Sequence, residues 1–79
     1  MKRFYIDFDV KNVPVDLRDE CYHVLKSDLH DCDGPKYYDT RRDADIDLCE
    51  WINTDATGWW LKMHKQGLEA VINEINIED

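Results

Sequence analysis

The first patterned stretch of the chain, residues 3–10, alternates hydrophobic and polar positions. Four apolar residues occupy every second position: Phe4, Ile6, Phe8 and Val10. Tyr5, Asp7 and Asp9 lie between them, and successive side chains of a β-strand point to opposite faces. We therefore predict a β-strand with one face in the core and the other open to solvent.

Residues 14–29 instead repeat their apolar positions at helical spacing. Pro14 suits the first turn of a helix, because proline has no N–H to leave unpaired there. The apolar positions then recur three or four residues apart: Leu17, Cys21, Val24, Leu25 and Leu29. The run Asp33-Gly34-Pro35 stops a helix firmly. This pattern predicts one amphipathic helix that ends before Gly34.

Residues 39–51 predict a second helix, which we place at about residues 41–53 with Thr40 as its N-cap. At about 100° per residue, four carboxylates fall in one stripe: Asp39, Asp43, Asp47 and Glu50. A neighbouring apolar stripe is suited to core packing: Ala44, Leu48, Trp51 and Ile52. Ile46 borders the acidic stripe away from the core side. We expect its side chain to be exposed among carboxylates.

The last third of the chain permits two interpretations. Residues 54–58 indicate a turn, and residues 59–63 predict a second strand because Gly58 and Gly67 bound the segment. The same residues also suit the start of a longer final helix that begins near Thr57, so the state of residues 57–66 stays open. Four apolar residues at helical spacing predict a last helix that ends at about Ile77: Leu68, Val71, Ile72 and Ile75.

The predicted order is strand, helix, helix, strand, helix, within one small globular domain that covers residues 1–79. A two-stranded sheet with three helices belongs to the α/β class, with α+β as the alternative. The long connection between the strands holds two helices and is compatible with parallel pairing.

The charge balance narrows the function classes. Asp and Glu outnumber Lys and Arg by 18 to 10, which gives a net charge of −8. This balance opposes direct nucleic-acid binding, which needs basic side chains to displace counterions, and it favours a basic protein partner. Solubility alone is the competing explanation. No apolar run approaches the about 20 residues that span a membrane, so we predict no membrane segment.

The cysteines and histidines predict neither disulfides nor a metal site. Three cysteines are an odd number, and no apolar signal segment follows Met1, so we predict a cytoplasmic protein with free thiols. Cys21 and Cys49 are expected to pack as small apolar groups. The motifs Cys21-x-His23 and His30-x-Cys32 offer soft ligands, but the C-x2-4-C spacing typical of zinc sites is absent.

The acidic run also lacks the features of a calcium site or an active site. D-x-D-x-D at residues 43–47 is not followed by the glycine of a calcium loop, and the twelfth position holds Thr54 rather than glutamate. No nucleophile with a neighbouring base is evident. We predict no catalytic residue, no cofactor and no metal, and therefore a protein that is not an enzyme.

Residues 35–49, P-K-Y-Y-D-T-R-R-D-A-D-I-D-L-C, resemble the corresponding part of the barstar family of acidic intracellular nuclease inhibitors. In that family a P-x-Y-Y segment leads into a helix with two aspartates four residues apart, which plugs the active site of a basic nuclease. By position, the resemblance implies target contacts for Tyr37, Asp43 and Asp47, while Ile46 replaces a tryptophan. The W-W-L-K segment and the order of elements are similar. The family's last strand has no counterpart among our predicted elements.

These features predict a small inhibitor, of phage or bacterial type, that covers a basic nucleic-acid-binding surface with carboxylates in place of phosphates. The target would be a nuclease, a transcription factor or a defence complex such as a CRISPR effector. The predicted contact residues are Tyr37, Tyr38, Asp39, Asp43, Ile46, Asp47 and Glu50. The alternative that the stripe is only a solvated face has one cost, a like-charge i,i+4 pair of about 0.2–0.5 kcal/mol.

A second function hypothesis is a structural protein that self-associates through its last helix. Its seam would hold four residues near heptad spacing: Leu61, Leu68, Ile72 and Ile75. We leave the oligomeric state open and favour a monomer.

Overall fold

The computed structural model describes residues 1–77. In chain order the elements are β1 (Lys2–Asp9), α1 (Val15–Val24), β2 (His30–Asp31), β3 (Gly34–Pro35), α2 (Arg41–Glu50), α3 (Thr57–Lys65) and β4 (Glu69–Asn76). Helices α1 and α2 each continue into a wider π-helical turn, at Leu25–Leu29 and Trp51–Asp55 respectively. Three helices with a two-stranded sheet confirm the predicted mixed α/β class. A short β2–β3 hairpin was not predicted.

The sheet is antiparallel. Strand β1 pairs with β4 from Lys2 opposite Asn76 to Asp9 opposite Glu69. The parallel pairing considered above is therefore wrong. The reason is visible at Gly67, which precedes β4 and lies against the backbone of Asn12, just beyond the end of β1. Strand β4 thus starts where β1 ends.

The predicted order fails in the last third of the chain. Residues 59–63 belong to α3 rather than to a strand, and residues 69–76 form β4 rather than a helix. Helix α3 forms because Ala56 and Met63 are both buried, two turns apart, with Trp60 packed against the core between them. The W-W-L-K segment is therefore helical, and a final strand does follow it.

The core lies between one face of the sheet and the three helices. Predicted core positions are confirmed in the first three predicted elements: Ile6, Phe8 and Val10 in and after β1, Cys21, Leu25 and Leu29 along α1 and its π-helical turn, and Ala44, Leu48 and Trp51 along α2 and its π-helical turn. Phe8 packs among the indoles of Trp51, Trp59 and Trp60 at centroid distances of 6.0–6.3 Å. The Trp51 indole also donates a 3.1 Å hydrogen bond to Asp28, which ties α2 to the end of α1.

The cysteines are free, and only Cys21 is buried. The expectation that Cys49 packs as an apolar group is wrong, since its position on α2 turns away from the core stripe of Ala44 and Leu48. In the part of the chain that the structure describes, no helix has the length and apolar character required to cross a membrane.

Candidate partner-binding surface

The acidic side of α2 is set by its cap and its buried stripe. Thr40 has an extended backbone, and its side-chain oxygen accepts a 3.1 Å hydrogen bond from the backbone N–H of Asp43. This confirms the predicted N-cap and fixes where the helix begins. Ala44 and Leu48 face the core. The opposite side of the helix, with Ile46, consequently faces solvent.

The segment before α2 is held by the outer edge of β1. The backbone groups of Tyr38 and Phe4 exchange two hydrogen bonds of 2.7 and 3.0 Å, which form an isolated antiparallel bridge. Neighbouring Tyr37 projects to the other side, where its ring meets the Tyr5 ring edge-on at 5.9 Å. The two tyrosines are thereby placed beside α2 in fixed positions.

The structure brings the predicted contact residues together around one hollow of about 420 Å³. Its lining comprises Lys36 and six of the predicted residues: Tyr37, Tyr38, Asp39, Asp43, Ile46 and Asp47. Glu50, the seventh, lines an adjoining hollow of about 220 Å³ that shares Tyr38 and Asp47 with the first. We call the seven residues together the acidic surface.

Two carboxylates of the acidic surface are engaged within the protein. Asp39 precedes the helix rather than belonging to it, and its carboxylate pairs with Arg3 of β1. Asp47 accepts a 2.8 Å hydrogen bond from the Tyr38 hydroxyl and lies 3.4 Å from the Lys36 ammonium. Burial and the hydrogen bond to Asp47 raise the pKa of Tyr38 well above its usual value. These two aspartates are therefore held in place.

The other two carboxylates, Asp43 and Glu50, are exposed. Within residues 1–77 neither side chain takes part in an ion pair or a side-chain hydrogen bond. Arg41 does not neutralise Asp43, because its guanidinium donates to the Ile72 carbonyl at 3.2 Å and lies over the Phe4 ring. Asp43 and Glu50 thus present the acceptor capacity of their carboxylates to solvent.

Apolar groups are exposed between these carboxylates. The Ile46 side chain is 51% exposed, as predicted, and Tyr37 is 43% exposed. Isolated exposed apolar residues are ordinary on protein surfaces. Here the two residues line the same hollow as three aspartates, so apolar and charged contact groups occupy one surface.

Lys36 lines the same hollow beside the acidic surface, and sequence reasoning missed it. Its ammonium lies 5.2 Å from the centre of the Tyr38 ring and bonds to Asp47. The only indication in the sequence is that Lys36 belongs to the P-K-Y-Y segment that leads into α2. The direction of its side chain depends on the Tyr38–Phe4 bridge, which joins residues distant in sequence.

The residues considered for metal binding lie elsewhere. His23, His30 and Cys32 line a separate hollow of about 820 Å³ beside the β2–β3 hairpin. The Nε2–H of His30 donates to the Ile6 carbonyl at 2.7 Å, which orients the ring toward β1. Over the described residues 1–77, the structure contains no group of three or more His, Cys, Asp or Glu side chains arranged to hold a metal ion.

Comparison with protein-family models, with curated proteins and with solved structures finds no match for this chain.

Proposed function

We propose that this protein is a small acidic inhibitor that covers a basic, nucleic-acid-binding surface of another protein, such as a nuclease or a defence complex. The observation that carries the proposal is the exposure of Ile46 beside Asp43 and Asp47, on a surface where Asp43 and Glu50 have no ion-pair partner among residues 1–77. The role is binding rather than catalysis.

The carboxylates divide into two pairs with different roles. Asp43 and Glu50 are free to meet arginine or lysine of the target in place of phosphates, and arginine–carboxylate pairs of this kind are often bidentate. Asp39 and Asp47 are oriented by Arg3 and Tyr38 before binding. A carboxylate that already accepts one bond keeps further acceptor sites, so Asp47 also remains available to a target cation.

The apolar groups of the acidic surface would slow dissociation of the complex, which charges alone do not. Charge complementarity mainly raises the association rate, whereas a desolvated apolar anchor lowers the dissociation rate. Ile46 lies between Asp43 and Asp47 on α2, and Tyr37 is held in place by its contact with Tyr5. We assign Ile46 the role of central anchor and Tyr37 a supporting contact.

Two further features support this assignment. The net charge of −8 matches a basic target and opposes direct contact with nucleic acid. Residues 35–49 resemble the contact segment of the barstar family, and here too a helix follows the P-x-Y-Y segment and carries the two aspartates.

The proposal is tested by capture from a lysate of the native host on immobilised protein, followed by elution with a short DNA or RNA duplex. We expect a captured protein that nucleic acid displaces. The double variant Asp43→Lys/Glu50→Lys should fail to retain it. Asp45→Lys is the matched control on the same helix, because Asp45 lines the opposite flank with Arg42.

Two results would overturn the proposal. One is retention by the double variant equal to that of the wild type. The other is a captured protein that excess nucleic acid does not displace and that has no nucleic-acid-binding activity inhibited by this protein.

The second function hypothesis, association through a C-terminal helical seam, is withdrawn. Leu68 is fully buried, and Ile72 and Ile75 lie in β4, where they do not share a helical stripe with Leu61.

A further inference from the structure

The backbone hydrogen bonds between Phe4 and Tyr38 show which N–H and C=O groups of β4 point away from β1. The N–H and C=O of Phe4 are bonded to Tyr38, so they point away from β4. In an antiparallel ladder, directly opposite residues alternate between bonded and non-bonded pairs. Four residues of β4 therefore point their backbone groups away from β1: Ala70, Ile72, Glu74 and Asn76. The 3.2 Å bond from Arg41 to the Ile72 carbonyl confirms this direction.

The two outer edges of the sheet differ in how many of their backbone groups have hydrogen-bond partners. The outer edge of β1 is covered by the Tyr38 bridge and by the His30 ring on the Ile6 carbonyl. Along the outer edge of β4, the only hydrogen bond among described residues is the one from Arg41. Strand β4, E-A-V-I-N-E-I-N, contains no lysine, proline or bulge, so the charges of Glu69 and Glu74 are its only devices of the usual kind against edge-to-edge pairing.

A groove of about 620 Å³ runs along this open edge. Leu48, Ala70 and Ile72 supply its apolar part, and Arg41, Arg42 and Asp45 line it on the α2 side. Within residues 1–77 Arg42 has no ion pair, although it sits at the N-terminal end of α2, where the helix dipole disfavours a positive charge. This acidic protein thus presents a groove with two arginines and one aspartate next to the open edge of β4.

We propose that this edge pairs with the same edge of a second copy of the chain, which joins two β1–β4 sheets into one four-stranded antiparallel sheet. The additional pairing gives hydrogen-bond partners to the outward backbone groups of β4, and the Ile72 carbonyl, which already accepts from Arg41, has a second lone pair for it. Such an interface is self-complementary, as a two-fold dimer requires.

The length of β4 and one charge contact select the register. With the two-fold axis at Asn73, the four outward residues pair with one another, Ala70 with Asn76 and Ile72 with Glu74 of the second copy. Glu74 of the second copy then lies opposite Ile72, where the Arg41 guanidinium reaches the strand, so its carboxylate, which pairs with Lys2 of its own copy, meets a further cation. With the axis at Ile72, Asn76 would lie opposite Leu68, which precedes β4, so the register centred on Asn73 is the favoured one.

The dimer leaves the acidic surface free. Tyr37 and Tyr38 lie beyond the outer edge of β1, whereas the pairing edge belongs to β4 on the other flank of the sheet. The two interactions also respond oppositely to salt. Two copies of net charge −8 repel each other, so screening strengthens the dimer, while screening weakens binding to a basic target.

Sedimentation velocity over a hundredfold range of protein concentration, at low and high salt, tests the association. We expect a dimer fraction that rises with concentration and with salt. Glu74→Pro should abolish it, because proline removes an outward N–H that the β1 ladder does not use. Glu74→Thr keeps this N–H and should weaken the dimer without abolishing it. Thermal unfolding verifies that both variants are folded.

Disulfide trapping tests the register independently of any proline effect. In a Cys32→Ser/Cys49→Ser background, Asn73→Cys should form a covalent dimer on mild oxidation, since paired residues at the axis lie within disulfide reach. Val71→Cys is the control, because its predicted counterpart is Ile75 of the second copy. A wild type that stays monomeric at all concentrations overturns the proposal. A dimer that Glu74→Pro leaves unchanged, or that Val71→Cys traps while Asn73→Cys does not, overturns it equally.

Discussion

The Tyr38 hydroxyl donates a 2.8 Å hydrogen bond to Oδ2 of Asp47, and this contact joins the segment before α2 to the middle of that helix. The two residues are nine apart in sequence, and the Tyr38 backbone is itself bonded to β1. Tyr38 therefore connects the outer edge of β1, through its backbone, to Asp47 of the acidic surface, through its side chain. Asp47 has a structural role in addition to the contact role that its place in the helix predicts.

The first prediction concerns Tyr38→Phe at high pH. Burial and the Asp47 bond raise the pKa of the phenol above the value of 10.0 expected in the unfolded chain. Because the raised pKa belongs to the folded state, its contribution to stability is complete below pH 10 and is lost as the pH rises toward the folded-state pKa. The free energy of unfolding should therefore decrease above pH 10 more steeply for the wild type than for Tyr38→Phe.

At neutral pH the same substitution should cost about 1 kcal/mol, the usual net value of one hydrogen bond. Urea unfolding between pH 7 and pH 11.5 measures both effects. Tyr37→Phe is the matched control, since the exposed Tyr37 hydroxyl makes no hydrogen bond among the described residues. Parallel pH profiles for the wild type and Tyr38→Phe would contradict the prediction.

The second prediction compares two glycines. Gly67 has a φ of +110°, and a Cβ there would lie 2.5 Å from the Asn12 carbonyl oxygen. Gly67→Ala should therefore destabilise the fold by about 1–3 kcal/mol, through backbone strain and the clash with rigid backbone. Gly58 lies in α3 with nothing within 4 Å of such a Cβ, so Gly58→Ala should stabilise by about 0.5–1 kcal/mol. Denaturant titrations of both variants measure the two shifts, and shifts of the same sign would contradict this account.

The local features of α2 could be predicted because their causes are local. The Thr40 cap, the buried Ala44 and Leu48 and the exposed Ile46 all follow from spacing along one helix. The engagement of Asp47 could not be predicted in this way. It depends on Tyr38, whose position is set by pairing with β1, and sequence spacing does not contain that information.

The strand and helix predicted for the last third of the chain are wrong because the same residues fit both helical and strand patterns. Val71, Ile72 and Ile75 fit helical spacing, but they are β-branched residues that also suit a strand. The deciding factor is distant: eight residues of β1 need a partner, and residues 59–63 are too few to pair with them. Residues 69–76 supply a partner of full length. Trp59 and Trp60 are then part of helix α3, in which Met63 is fully buried.

The third prediction concerns the cap of α2. Thr40→Ala removes the oxygen that accepts the Asp43 N–H, and we expect a loss of about 1 kcal/mol. Thr40→Ser retains the hydroxyl and should restore most of the stability. Because the acidic surface depends on where α2 begins, Thr40→Ala should also weaken target capture in proportion to the loss of folded helix. Thermal unfolding with circular dichroism provides the measurement, and equal melting temperatures for the alanine and serine variants would contradict the role of the cap.

The fourth prediction separates folding from binding along the acidic surface. Glu50→Lys replaces an Asp47 repulsion by an attraction, so it should raise stability by a few tenths of a kcal/mol. Asp43→Lys gains similarly against Asp47 but loses a favourable charge in the first turn, worth about 0.3–1 kcal/mol, and its net effect should be near zero or slightly unfavourable.

Asp47→Lys should differ from both because it also breaks the Tyr38 bond. We expect a loss of at least about 1 kcal/mol of folding stability. All three reversals should weaken capture of a basic target, and the effect should shrink as salt screens the charges. Ile46→Ala should instead raise the dissociation rate with little change in salt dependence, as an apolar anchor does. If the surface is only a solvated helix face, Asp43→Lys, Glu50→Lys and Ile46→Ala will bind like Asp45→Lys. Surface plasmon resonance at two salt concentrations measures binding, and unfolding curves for each variant measure stability. A substitution in a contact surface weakens binding even where the free energy of unfolding is unchanged, and this distinguishes the two outcomes.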